Sequence, residues 1–519
     1  MYSINFYHKK DLSDLKDITI VLSKKLGIPQ KSLKNISIEK KSLDARDKTN
    51  IRWFYRIVFD CDTTIKNKSL VKTINIEKPP EIILKGLNNT KVIIVGMGPA
   101  GIFSALRLAL SGAKCIIIER GKKIEDRIKD VKAFFNTRVL DEESNIQFGE
   151  GGAGTFSDGK LTTRTKNPYH NFIYDELIKA GAPEEIRYIS NPHIGTDKLR
   201  KVIINLRKKL LQLGVEILYN ERFEKLIISK DRAVKGIVTS KRELFCDALI
   251  LATGYSARDT YDALYSQGVY MEPKGFAMGY RIELPQKLIN LIQYGKHYSK
   301  LPPAEFYLNT HFKNVGLSVY TFCMCPGGEI VPACSKKGLL VLNGMSYYKR
   351  NGTFGNAAVV ISLKPEIWNN KVFGGIELQK RIEEEAFKAG GSDYTAPAIT
   401  TIDFINETVK IPLCKTTYPF GVKSYPIWEF YNNWKHFFKR ALKIFDSKMK
   451  GIISENTLLL APETRTSTPV RITRGVDGMS INTKNLYPCG EGAGYAGGII
   501  TSATDGLIIA EKIKGKVTI

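Results

Sequence analysis

Residues 91–102 read KVIIVGMGPAGI, and the fold follows from them. The run from Val92 to Val95 is apolar and β-branched, the composition of a strand buried on both faces. It leads straight into Gly96, Gly98 and Gly101, spaced GxGxxG. Pro99 and Ala100 open a helix that runs to Gly112, with Gly101 and Ala105 small enough for close packing on a sheet. Each glycine has its own task. The first makes a tight turn, the second lets a pyrophosphate approach the backbone, and the third brings helix against strand. The helix N-terminus then offers unpaired N–H groups and a positive dipole end. A second apolar strand, KCIIIER, ends at Glu119 and Arg120. Glu119 lies twenty-three positions beyond Gly96, the spacing of a carboxylate that accepts hydrogen bonds from a ribose.

Around this unit the chain divides. Its 519 residues exceed what one core supports. Residues 1–85 read as a small α/β domain with a linker: YSINFY, ISIEKKSL and RWFYRIVFD as strands, and a helix with Leu12, Leu15, Ile18, Val21, Leu22 and Leu26 on one face. The polar, proline-containing NIEKPPEIILKGLNNT is the linker. Residues 86–272 form the first part of a dinucleotide-binding domain, 273–455 an inserted domain, and 456–519 the returning part. The fold class is therefore α/β: a discontinuous Rossmann-like domain with an inserted α+β domain and a small N-terminal α/β domain.

The formal charge is +26, which attracts phosphates, acidic small molecules or nucleic acid; the basic residues are spread, however, as on a solvated lysine-rich surface. No run of about 18 apolar residues is present, and the N-terminus has neither a secretory nor a transit pattern, so the expected location is cytoplasmic. The eight cysteines are mostly far apart, and no zinc spacing occurs, so no metal site is expected.

Two further segments match GxGxxG, Gly149–Gly154 and Gly492–Gly497. Neither follows a buried strand, so no second dinucleotide domain is expected, and NAD(P)H would serve only as an electron donor without one. Three later features favour FAD over NAD. The apolar strand from Ala248 ends in Ala252-Thr253-Gly254, resembling the end of the accessory sheet in flavoproteins with two dinucleotide domains. LYPCGE, with Gly490 and Glu491, resembles the late strand that carries the ribityl chain, with Glu in place of the usual Asp. Gly497, Gly498 and Ile499 open an apolar helix that in that superfamily points at the flavin, where a positive dipole end stabilises the anionic reduced form.

With these residues in view, the chain resembles a family of FAD-dependent, or NAD(FAD)-utilising, dehydrogenases over nearly its whole length. The resemblance is carried by SLDAR (42–46), FGEGGAGTFSDGKLTTR (148–164), NPHIGTDKL (191–199), ATGYSARDTY (252–261), FCMCPGG (322–328), NGMS (343–346), ETRTSTPVRITR (463–474) and GEGAGYAGGIITSATDG (490–506). It implies that the segment from Gly149 to Lys160, with Gly151, Gly152, Thr155 and Gly159, passes close to the flavin and its phosphates.

Candidates for chemistry are fewer. Cys323 and Cys325 are either a thiol pair near the flavin or a buried structural pair; a disulfide between strand positions i and i+2 closes a tight ring. His193 is a general acid or base, or it orders its loop. Arg465, Arg471 and Arg474, with Glu463, either bind an anionic group or pair internally. The stretch PIWEFYNNWKHFFKRALKIF places Ile427, Phe430, Tyr431, Trp434, Phe438, Leu442 and Phe445 on one face, a core stripe or a basic amphipathic surface helix. The expected function is a FAD-dependent oxidoreductase acting on a small, anionic molecule. The alternatives are a flavoprotein that binds or modifies nucleic acid and a flavin-based sensor acting through a protein partner.

Overall fold

The computed structural model describes all residues except 13, 75–86, 164, 411–412 and 514–519. Most of the predicted linker, NIEKPPEIILKGLNNT, lies outside the described residues.

The N-terminal domain is a four-stranded antiparallel sheet in the order Leu33–Asp44, Arg52–Cys61, Tyr2–His8, Val71–Thr73. One helix, Leu15–Leu26, is capped by the Asp14 carboxylate and ended by left-handed Gly27. Ile18, Leu22 and Leu26 recur at i+4 and are buried. Leu15, expected on the same face, is instead 50% exposed as the first residue of the helix, while Leu12 before it is buried in the core.

The dinucleotide domain is built on a five-stranded parallel sheet, ordered Leu486–Pro488, Ala248–Leu251, Lys91–Val95, Lys114–Glu119, Glu216–Tyr219. The strand that opens the glycine turn is central, with Ile93 and Ile94 fully buried. Ala248–Leu251 belongs to this sheet. Only Phe223–Ile228, Val234–Thr239 and Glu243–Phe245 form the accessory antiparallel sheet, so the resemblance of Ala248–Gly254 to its end is corrected. All four residues of Ala248–Leu251 are buried, as befits an interior parallel strand. The C-terminal helix Ile499–Lys512 lies against the glycine-turn helix Pro99–Leu110, so closely that a Cβ on Gly506 would stand 2.3 Å from the Ala100 carbonyl oxygen. Segments at opposite ends of the chain thus complete one domain.

The inserted domain is a seven-stranded sheet in the order Asn309–Phe312, Leu317–Cys325, Phe354–Leu363, Phe276–Pro285, Leu458–Glu463, Ala396–Thr400, Val422–Ser424. Only the last pair is parallel. Leu458–Glu463 was expected in the returning dinucleotide segment. It pairs with Phe276–Pro285 and Ala396–Thr400 instead, which carries the inserted domain past residue 455. The aromatic stripe is core: Ile427, Phe430, Tyr431, Phe438, Leu442 and Phe445 are buried, while Trp434 packs at the edge. The stretch is not one helix. Ile427–Trp434 is a 3₁₀ segment that kinks at Tyr431 before the α-helix Lys435–Lys448.

Candidate active site

The glycine turn has the geometry its spacing requires. Gly96 adopts φ +103°, and a Cβ there would stand 2.3 Å from the Ala252 carbonyl oxygen. A Cβ on Gly101 would stand 1.9 Å from the Gly96 carbonyl oxygen, so the third glycine is required for the helix to start where it does. Gly98 caps that helix and faces only the backbone of Gly152.

Glu119 is buried and accepts three backbone N–H groups: Met97 at 2.9 Å, Gly121 at 2.9 Å and Gly149 at 3.0 Å. An ionised carboxylate offers about four acceptor positions. Glu119 therefore ties the glycine turn to the loop from Gly149 and keeps acceptor capacity at the cavity wall. Arg120 is held by Glu143 and Asp259 and lies over the Phe148 ring at 4.1 Å.

The loop Gly149–Gly154 is organised by a residue that no motif flagged. Arg127, on the helix Ile124–Thr137, is completely buried. Its guanidinium donates to the carbonyls of Asn145, Ile146, Gly149, Glu150 and Gly152 at 2.7–3.2 Å. Five carbonyls turned toward one cation leave the loop's other side free for a ligand. Glu150 beside it accepts from Ile124 N–H and Arg207, while its Oε1 has no partner; burial pushes this carboxyl up to about 7.

These elements form one wall of a cavity of about 1170 Å³, larger than the ~300–1,000 Å³ of ordinary small-molecule sites. On this wall are Gly96, Gly98, Pro99, Ala100, Glu119 and Arg120, and also Gly152, Gly159, Lys160 and Gly254. Glu491 and the helix start at Gly497, Gly498 and Ile499 line it as well. Gly101, Gly151, Thr155 and Gly490 do not line it; they shape it. Gly151 N–H donates to the Met97 carbonyl at 2.8 Å, and Thr155 donates to the Glu150 carbonyl at 3.2 Å. Gly490 N–H donates to Asp505 at 2.7 Å, the carboxylate that Arg474 grips at two points. These residues fit a dinucleotide: glycines at the points of closest approach, a free helix N-terminus, an acidic residue at the second strand end and open space beside Gly254 and Gly497.

The opposite wall comes from the inserted domain, including Tyr307, Tyr320, Phe322, Cys323, Glu463 and Arg465. Arg465 is committed to Glu383, which Arg258 also holds. Burial would raise Glu383, but the two guanidiniums hold it at about 2. Arg350 is likewise committed to Asp158 and Glu305, and Arg471 stands over the Tyr495 ring. The expected anion-binding arginines are thus engaged in internal contacts. Among the described residues, Lys160 is the lining cation whose hydrogen-bond partner is a carbonyl, that of Met324, and not a carboxylate. Glu463 pairs with the fully buried Arg281 at 3.4 Å, and burial pushes its carboxyl up to about 7. Burial likewise pushes Glu491 up to about 8, with Lys274 pulling the other way.

His193 is not brought to the cavity. Its Nε2 faces the Tyr348 carbonyl at 3.1 Å, its ring stacks on Tyr348, and burial keeps it neutral to lower pH. Cys325 is fully buried, whereas Cys323 lines the cavity.

Residues 89–137 match a model described as FAD binding domain, and residues 275–466 one described as FAD-dependent protein, C-terminal domain-like. Residues 10–60 match a domain of unknown function. An uncharacterised protein of Clostridium beijerinckii is 43% identical over 516 residues, 96% of each chain. The chain belongs to the family of that protein, one of FAD-dependent proteins. FAD binding follows from the matched domain. Matches among solved structures include CtdE in complex with FAD (12% identical, 82% of this chain and 83% of that one, TM-score 0.31). Another is a 3-ketosteroid-Δ4-(5α)-dehydrogenase of Rhodococcus jostii (12% identical, 82% and 96%, TM-score 0.33). Both likenesses are distant. No helix among the described residues is long and apolar enough to cross a membrane.

Proposed function

We propose that this protein is an FAD-dependent oxidoreductase that holds FAD along the glycine-turn wall and a small anionic substrate against the inserted-domain wall, within the same cavity. The observation that carries the reading is the continuity of that cavity, bounded by Gly96–Ala100 on one side and by Tyr320–Met324 on the other. In this reading Gly98 and the helix at Pro99 receive the pyrophosphate, Glu119 a ribose, Glu491 the ribityl chain, and the helix start at Gly497–Ile499 the flavin. Bound flavin supplies two-electron oxidation or reduction.

The remaining work belongs to this chain's side chains. Lys160 is the cation available to negative charge in the cavity. Glu463 and Glu491 titrate near neutrality, so each can take or give a proton at working pH. The aromatic wall of Tyr307, Tyr320 and Phe322 favours a substrate with a flat or apolar body.

The test is anaerobic mixing of the purified protein with NADH, NADPH and a panel of small carboxylates while flavin absorbance is followed. One or more should bleach or restore the flavin band, and Lys160→Met should raise KM for a carboxylate at least tenfold with the flavin retained. A folded protein that carries no flavin and takes none up would overturn the reading.

A further inference from the structure

The thiols of FCMCPGG have no part in the reading above. In a regular strand, side chains two positions apart are separated by about 6.6 Å of rise, whereas a disulfide needs Cβ atoms about 3.5–4.5 Å apart. The strand Leu317–Cys325 is not regular at its end. Its pairing with Phe354–Leu363 shifts register between Phe322 and Cys325, and Cys323 adopts φ +46°. A non-glycine residue there is strained by about 1–3 kcal/mol, and such strain clusters at functional sites. The bulge breaks the pleat and folds the Cys325 thiol back to donate to the Cys323 carbonyl at 3.5 Å.

Their surroundings are cationic. Arg281 Nη2 lies 3.5 Å from Cys325 Sγ and donates to the Cys323 carbonyl at 3.0 Å. The Lys160 ammonium donates to the carbonyl of Met324, between the two cysteines. The neighbouring Cys325 thiol draws the Cys323 thiol below its ordinary range, assisted by Lys160 and Arg281 and opposed by burial. One sulfur is therefore reachable from the cavity, its partner sits fully buried behind it, and nearby positive charge favours the thiolate.

We propose that Cys323 and Cys325 are a redox-active pair, a second two-electron centre beside the flavin, with Cys323 the sulfur that meets a thiol or disulfide compound in the cavity. The proposal rests on the reading that FAD occupies the adjoining wall. In the reductive direction, two electrons and two protons from reduced flavin break the Cys323–Cys325 disulfide and leave two thiols. The Cys323 thiolate then attacks a disulfide RSSR, forming Cys323–S–S–R and releasing RS⁻. The Cys325 thiolate attacks the Cys323 sulfur, restores the protein disulfide and releases the second RS⁻. Two released thiolates take up the two thiol protons, so the sequence balances.

The experiment uses the full-length, FAD-loaded protein, oxidised with ferricyanide, desalted and titrated anaerobically with dithionite. Flavin absorbance and iodoacetamide labelling of the peptide carrying residues 323 and 325 are read at each point. The expected uptake is four electrons per FAD, with two alkylation sites appearing on that peptide. Cys323→Ser/Cys325→Ser should take two. Reduced Cys325→Ser mixed with glutathione disulfide should trap glutathione on Cys323. A flavin that bleaches while the peptide is fully alkylated from the start overturns the pair and leaves the flavin reading intact. Failure to trap glutathione in a flavin-bearing Cys325→Ser overturns the role given to Cys323. A protein without a flavin band overturns the underlying reading instead.

Discussion

Arg465 holds Glu383 at two points, Nε to Oε1 at 2.9 Å and Nη2 to Oε2 at 2.8 Å. Arg258 takes the same carboxylate at 3.0 Å on both oxygens, and Thr464 donates to it at 2.8 Å. One buried acid thereby joins three distant segments: the start of the helix Arg258–Ser266, the helix Gly374–Gly390, and the end of the inserted sheet. The arginine that reads in sequence as an anion receptor grips an internal acid, and Arg258 on the same acid ties the dinucleotide domain to the inserted one. Arg465→Ala should destabilise the protein by about 3–5 kcal/mol, as expected when one member of a buried charged group is removed. Urea unfolding checks this, and Arg465→Lys should recover part of the loss but not the two-point geometry.

Gly101→Ala brings a methyl group to 1.9 Å from the Gly96 carbonyl oxygen. The helix must shift away from the strand and take its N-terminus with it. The expected result is a folded protein purified with less than a tenth of the wild-type flavin per chain, measured by absorbance after denaturation.

Arg127→Met keeps length and removes the donors, leaving five carbonyls without their shared partner. Each unpaired buried acceptor costs about 1 kcal/mol or more. Loop Gly149–Gly154 should open, with at least a tenfold rise in the FAD dissociation constant measured by fluorescence titration and faster hydrogen exchange confined to residues 145–156.

Glu150 gives a pH signature. Its carboxyl is raised by burial from an ordinary 4.5 to about 7, so the folded state holds the proton more tightly than the unfolded one. The stability it contributes is complete below pH ~4.5 and is lost as pH rises through ~7. Glu150→Gln removes this dependence. The difference in unfolding free energy, variant minus wild type, should rise by up to about 3 kcal/mol between pH ~4.5 and ~8, since each tenfold gain in proton affinity is worth about 1.36 kcal/mol. A flat difference across that range would show that the residue ionises normally.

The amino-acid sequence alone determined the dinucleotide domain and its cofactor. A strand, three spaced glycines, a helix and a terminal acid are local features. Their spacing states their geometry, so Gly96, Gly98, Gly101 and Glu119 were legible, as were the returning Gly490–Ile499 segment and the buried aromatic stripe from Ile427. The tertiary structure decided the rest, because it depends on contacts between residues far apart in the chain. No periodicity marks Arg127 as the anchor of a loop some twenty residues away, or assigns Leu458–Glu463 to the inserted sheet and not to the segment it precedes. Arg465 shows its type in sequence but not its partner, since Glu383 lies eighty-two positions earlier. The same holds for Cys323 and Cys325. Their spacing predicts side chains on one face of a strand, and only the pairing with Phe354–Leu363 introduces the bulge, with Cys323 on the cavity wall and Cys325 fully buried.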